Sequence, residues 1–206
     1  MTIQARNLPP FVAALGDTLG RASPAVRRHL TLPDGRALHA GALRRLWHHG
    51  MFGRIAARLL HLHGQDRASV EGWFELRNEL VPDGHGGIAM LWHRTHHHDA
   101  RPVRGVGSLR WDASRGVLID SIGHHKWLEV ELLPSTEEGA VMMTSRRQWL
   151  QIAGVRLRLP RLLFGSADTR EWEEPDGRLG LSLTLRHPLL GAYAGYEVVL
   201  DSEEWS

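Results

Sequence analysis

The sequence predicts an α+β protein that is mainly antiparallel β, a strongly curved sheet or up-and-down barrel with short N-terminal helices. Three observations predict it. From residue 69 onward apolar residues recur with period two, as half-buried strands require. Turn signals such as Pro82-Asp83-Gly84, Asp112-Ala113-Ser114-Arg115-Gly116 and Pro175-Asp176-Gly177 return about every 8–15 residues, the spacing of a meander. Over 9–30 and 50–62 the apolar period is helical instead.

The elements follow in order. Phe11, Leu15, Leu19 and Val26 can share one helical face, and Ser23-Pro24 is a cap residue followed by proline at the first helical position. Two short helices are expected, over 9–20 and 23–29. A strand pair is expected over 28–33 and 36–46, joined by Pro33-Asp34-Gly35. The stretch 50–62 places Met51, Ile55, Leu59 and Leu62 on one side and Arg54 and Arg58 on the other. It predicts a helix packed on the sheet or over a barrel mouth; a helix lying on a membrane surface is the alternative.

Strands are then expected from 69 to 81, with Val70, Phe74, Leu76 and Leu80 on one face, and over 87–97, 102–112, 115–122 and 125–133. Further strands are expected over 139–151, 154–158, 167–174, 178–187 and 192–200. So many consecutive antiparallel strands cannot stay flat, because sheets twist and open edges are costly. No linker, repeat or low-complexity segment interrupts the chain, which predicts a single domain over 1–206.

Composition excludes several classes. The 206 residues contain no cysteine, so disulfides, thiolate metal sites and cysteine nucleophiles are ruled out. The N-terminus lacks the charged-then-apolar pattern of a signal peptide, and no stretch approaches the roughly 18 apolar residues of a membrane span. A cytoplasmic protein is expected, with peripheral membrane contact left open and the oligomeric state unspecified. Net charge is +2, and basic and acidic residues are interleaved along the chain, so no nucleic-acid partner is expected. Lys126 is the only lysine.

Several motifs together resemble a bacterial family, domain of unknown function 4166. The resemblance runs from about Phe11 to Leu200 and rests on Pro24-Ala25-Val26-Arg27-Arg28-His29, Trp92-His93-Arg94 and Leu118-Ile119-Asp120 before Gly123. Its best part is the arginine-bearing strand Arg146 to Leu150, the Leu159-Pro160-Arg161 turn, Glu171-Trp172-Glu173, Asp176-Gly177-Arg178 and His187-Pro188-Leu189-Leu190-Gly191. Asp120 stands where the family pattern has glutamate, and Thr95-His96 replaces an approach to phenylalanine. The resemblance implies architecture and a bacterial cytoplasmic origin, and brings no activity with it.

Candidate chemistry is spread over three residue types. Fourteen histidines are conspicuous. His93, His96 and His98 lie in one run and His124 in another, and zinc needs three or four N or O ligands converging at about 2 Å. Solvated loop histidines are the plainer reading, and no metal or other cofactor is called for. Asp120 and Glu129 are the weak candidate general bases, with a histidine of the 93–98 run as partner. There is no nucleophile elbow or P-loop, and Gly105-x-Gly107 lies in a β run, the wrong context for a dinucleotide site.

Eight tryptophans fall mostly at strand positions, where indoles fill curved-sheet interiors. The leading expectation is a non-catalytic binding domain that holds a hydrophobic or amphipathic small molecule, lipid or acyl-like, in a β-cavity. Trp92, Met142 and Trp149 would supply the wall, Arg94 and Arg146 would meet a carboxylate or phosphate, and Asp120 would share the site. An enzyme in the same cavity and a histidine-cluster metal protein are the alternatives.

Overall fold

The structure is a computed structural model that describes residues 7–51, 53–54, 72–97, 102–123, 126–152 and 154–203. Among these, the first half supplies strands β1 (Arg36–His48), β2 (Trp73–Pro82), β3 (Ile88–His97), β4 (Val103–Asp112), β5 (Val117–Ile122) and β6 (Leu128–Glu137). The second half supplies β7 (Ala140–Ile152), β8 (Val155–Leu159), β9 (Ser166–Glu173), β10 (Leu179–His187) and β11 (Gly191–Glu203). The helices are α1 (Pro10–Leu15), a 3-10 turn (Gly16–Arg21), α2 (Pro24–Thr31) and the short α3 (Arg161–Phe164).

Ten strands form an up-and-down antiparallel barrel. Pairing runs in chain order from β1 to β7, passes to β9 through Val141–Thr144, and continues to β11. Strand β11 then returns to β1 in a ladder from Leu38↔Glu203 to His48↔Ala194, which closes the ring. Strand β8 is left outside as a hairpin spur on the far half of β7, from Gln148↔Leu159 to Ile152↔Val155. The expected barrel and meander are therefore present, with the strands from 87 onward within a few residues of their expected places.

Strand directions alternate, so the barrel has two distinct ends. Helices α1 and α2 lie at the end that carries the β2–β3, β4–β5, β6–β7 and β9–β10 turns, α1 against β3 to β6 and α2 against β9. Phe11, Leu15, Val26 and Leu30 bury their side chains there. The backbone N–H of Ser23 donates to the Gly139 carbonyl (2.8 Å), and that of Ala25 to Glu173 Oε2 (2.7 Å), which pins α2 to the rim. The opposite end, the mouth, carries the β7–β8 and β10–β11 turns.

Two sequence expectations change. The strand expected over 28–33 does not form, because α2 extends through Thr31. Val26, His29 and Leu30 form its buried face, and the helix stops where Pro33 disfavours helical geometry in the preceding residue, Leu32 taking a left-handed conformation (φ 45°). Of the helix expected over 50–62, Gly50, Met51, Gly53 and Arg54 are helical, and the remainder lies outside the described residues.

Inward positions alternate as the sequence implies. Phe74 and Leu76 of β2, Met90 and Trp92 of β3 and Leu181, Leu183 and Leu185 of β10 belong to one continuous core. Trp92 lies flat across β4 because its cross-strand partner is Gly107. A Cβ on Gly107 would sit 2.2 Å from the indole. Two further tryptophan–glycine pairs, Trp47 with Gly195 and Trp172 with Gly180, cover the backbone in the same way. By alternation with Leu46 and Glu171 they do so on the outer face.

Substituting Gly107→Ala should therefore destabilise the barrel by about 1–3 kcal/mol, the range for overpacking a well-filled interior. That corresponds to a fall in Tm of roughly 2–4 °C per kcal/mol. Gly20→Ala, where a Cβ meets nothing within 4 Å, should leave Tm unchanged in the same thermal melts.

Candidate functional site

The barrel interior contains a polar cluster contributed by seven elements. Asp120 of β5, Arg94 of β3, Glu171 of β9, Tyr196 of β11, His39 of β1 and Asn78 of β2 all occupy inward positions, and His29 enters from α2. The indole N–H of Trp92 donates to Asp120 Oδ1 at 2.9 Å. The Arg94 guanidinium lies over the same indole, 4.0 Å from its centroid, a cation–π contact strengthened by partial desolvation. Arg94 is only half-buried although it points inward, so solvent reaches part of it. Its Nε is buried and makes no hydrogen bond among the described residues, and the same holds for Asn78 Oδ1, Glu171 Oε2 and the Tyr196 hydroxyl.

Burial sets the protonation states. It pushes the Asp120 carboxyl up to about 6, against the opposing pull of Arg94 and the Trp92 N–H. It pushes Glu171 up to about 7, again against Arg94. Tyr196 is raised for the same reason. The imidazoles move the other way. Burial, the neighbouring His39 and Arg94 hold His29 well below its ordinary value, and burial brings His39 down to about 4. The contact between His29 Nε2 and Glu171 Oε2, 3.7 Å, is therefore not an ion pair at neutral pH. The bond between His29 Nδ1 and His39 Nε2, 2.9 Å, joins two neutral rings, one donating and one accepting.

Arg94 is thus a permanent cation facing two carboxyls that titrate near neutrality. Such a site can receive an anionic or strongly polar group, with Arg94 as charge partner and protonated carboxyls or the Tyr196 phenol as donors. Three or more His, Asp or Glu side chains placed to hold a metal ion do not occur among the described residues.

The sequence candidates separate into two groups. Trp92, Arg94 and Asp120 come together inside the barrel. Met142, Arg146 and Trp149 do not join them. Val141 and Met143 belong to the core, so alternation turns Met142 to the outer face. Trp149 also faces outward, beneath the Arg156 guanidinium at 4.2 Å, and Arg146 is exposed beside the bulge between Glu131 and Leu132. Glu129 lies on the opposite face from Asp120 and pairs with Arg156 at 2.9 Å, so the two candidate bases do not share a site. Of the histidines, His93 is exposed on the outer face of β3. His96 is buried edge-on between Phe74 and Tyr196 (ring centroids 4.7 and 5.4 Å). His98 and His124 lie outside the described residues.

Sequence reasoning missed His29, His39, Asn78, Glu171 and Tyr196. One signal was available: Asn78 interrupts the apolar face set by Phe74, Leu76 and Leu80.

The family model for Domain of unknown function (DUF4166) matches residues 23–200. The chain belongs to the DUF4166 family. The match spans α2 and all eleven strands almost to the end of β11. A relative in Bacillus subtilis (strain 168), "Uncharacterized protein YndH", is 26% identical over 135 residues, 64% of this chain. The match spans 65% of that relative's length. No helix among the described residues is long and apolar enough to cross a membrane.

Protonation of Glu171 has a testable consequence for stability. Its folded pKa lies above the ordinary carboxyl value, so folded chains hold the proton over a pH range in which unfolded chains release it. The group therefore costs nothing below about pH 4.5, and its cost grows until pH passes about 7. Glu171→Gln removes that cost. In urea unfolding, the stability of the variant relative to wild type should rise from about pH 5 to about pH 8, by on the order of 3 kcal/mol. A difference that does not change with pH would contradict this account of Glu171.

Proposed function

We propose that the protein binds a small amphipathic molecule through the barrel mouth, with a carboxylate or phosphate held at Arg94. The carrying observation is the buried Arg94 Nε, without a hydrogen bond among the described residues, on a side chain that solvent still reaches. A buried donor left unmade is costly, and a cation inside a barrel more so. Ligand oxygen at this point satisfies both. Phe74, Leu185 and Ala194, at the mouth ends of β2, β10 and β11, give the hydrocarbon part of such a molecule an apolar inner wall at the rim.

Glu171 and Asp120 tune this site. An arriving anion is a third negative group beside one arginine. It disfavours ionised carboxyls, so binding takes up a proton and tightens as pH falls. Protonated Glu171 then donates to the ligand and no longer competes for Arg94.

A dansyl-labelled undecanoate is a suitable probe, with its methyl ester as the uncharged comparison. The acid should bind more tightly than the ester, and more tightly at about pH 6 than at about pH 8. Arg94→Gln should weaken the acid by roughly ten- to a hundredfold, the range for a lost charge-assisted bond, and leave the ester unchanged. Arg178→Gln, at the helix end and paired with Asp176, should behave as wild type. Equal affinity for acid and ester, or no loss with Arg94→Gln, would sink this reading.

A further inference from the structure

Exposed apolar side chains are concentrated at one end of the barrel. Of eleven large hydrophobic residues exposed among the described residues, nine lie at the mouth; only Leu8 and Leu133 lie elsewhere. The β7–β8 spur carries Ile152, Val155 and Leu157, each about half exposed, and α3 carries Leu162 and Phe164. The β10–β11 turn projects Leu189 and Leu190, 78% and 58% exposed. Met51 and Trp73 complete the rim.

These segments form one surface. The Tyr193 hydroxyl donates to the Phe164 carbonyl (3.3 Å), which ties α3 to the start of β11. Gln148 Nε2 donates to the Gly165 carbonyl (3.2 Å), which ties it to β7. On the spur, the register Leu128↔Leu150↔Leu157 carries the apolar inner wall of the barrel outward beyond the rim.

Arginines accompany the apolar side chains. Arg146, Arg147, Arg158 and Arg161 surround a shallow cleft of about 280 Å³, part of it open solvent, between β7, β8 and α3. Arg146, Arg158 and Arg161 make no ion pair among the described residues. The helix end is richer in acids: its turns carry Asp83, Asp112, Glu137-Glu138 and Asp176 beside Arg115 and Arg178, while its helical segments carry Arg21, Arg27 and Arg28. A net charge of only +2 thus hides a marked polarity.

We infer that the mouth docks on an anionic lipid membrane, with the arginines among the headgroups and the leucine-rich turn and spur at the acyl boundary. Charge complementarity selects this partner. A second copy joined mouth to mouth would oppose arginine to arginine. Single-stranded nucleic acid needs aromatic stacking platforms, and most of the exposed apolar side chains described at the mouth are aliphatic. Projecting aliphatic residues framed by arginines instead match an interfacial surface. Docking there would place the barrel mouth at the lipid, although the inference stands without any bound ligand.

Co-sedimentation with vesicles tests it, using phosphatidylcholine alone and phosphatidylcholine mixed with phosphatidylserine, without added ligand. Binding should appear only with the anionic lipid and fall with added salt. Arg158→Glu combined with Arg161→Glu should weaken it at least roughly 25-fold, from about fivefold per neutralised arginine. Leu189→Asp combined with Leu190→Asp should weaken it at least about tenfold. Arg178→Glu, at the helix end, should retain wild-type binding, and circular dichroism should report an intact barrel in every variant. Equal binding to neutral vesicles, no binding, or a leucine-dependent dimer in place of vesicle binding would each overturn the inference. Probe binding at Arg94, measured without vesicles, would survive such a failure, so the two readings fall separately.

Discussion

Closure of the ring between β1 and β11 is the constraint on which the rest depends. An antiparallel ring in which every neighbour runs opposite must contain an even number of strands. Eleven strands therefore leave one outside, and here it is β8, the shortest. Closure removes the costly edges of a long meander. It also fixes which turns share an end, and so where every loop residue lies. Among the described residues β8 carries a free edge and blunts it with Arg156 and Arg158, a usual protection against edge-to-edge pairing.

Closure also creates an enclosed interior, in which Arg94 dominates. Its charge acts on Asp120, Glu171, His29 and Tyr196 together. Two unpaired buried carboxylates would be worse than either alone, and a lone buried arginine worse again. The cluster tolerates its burial because the acids can take up protons near neutrality while the imidazoles stay neutral. This is a poor way to maximise stability, since an apolar filling of equal volume would cost less. Titratable groups whose protonation is set by burial and one shared cation are commoner at functional sites than in passive cores.

Much of the fold was legible because period two, turn residues and edge costs all point the same way. Each expected strand from 87 to 200 appears within a few residues of its place. The error at 28–33 arose where α2 continues into the span the Pro33-Asp34-Gly35 turn suggested for a strand. The site was legible only in part. Trp92, Arg94 and Asp120 stand out by type, and β3 and β5 lie on opposite sides of β4. Met142, Arg146 and Trp149 were misplaced because the bulge between Glu131 and Leu132, and the outward face of β7, follow from register. Glu171 and His29 are 142 positions apart in sequence and meet only because α2 lies against β9.

The interleaved charges of the sequence carry a further lesson. Read along the chain, arginine and acid alternate without a stripe. Folding sorts them, because an up-and-down barrel sends successive turns to opposite ends. Acidic turns such as those at Asp112 and Asp176 face the helix end, while Arg146, Arg158 and Arg161 of β7, β8 and α3 face the mouth. The same alternation collects Leu157, Leu162, Leu189 and Leu190 at the mouth and places Arg94 on the strand face beneath it. Topology alone thus aligns a basic, apolar rim with a buried cation, two features that share no sequence motif and would otherwise be read as unrelated.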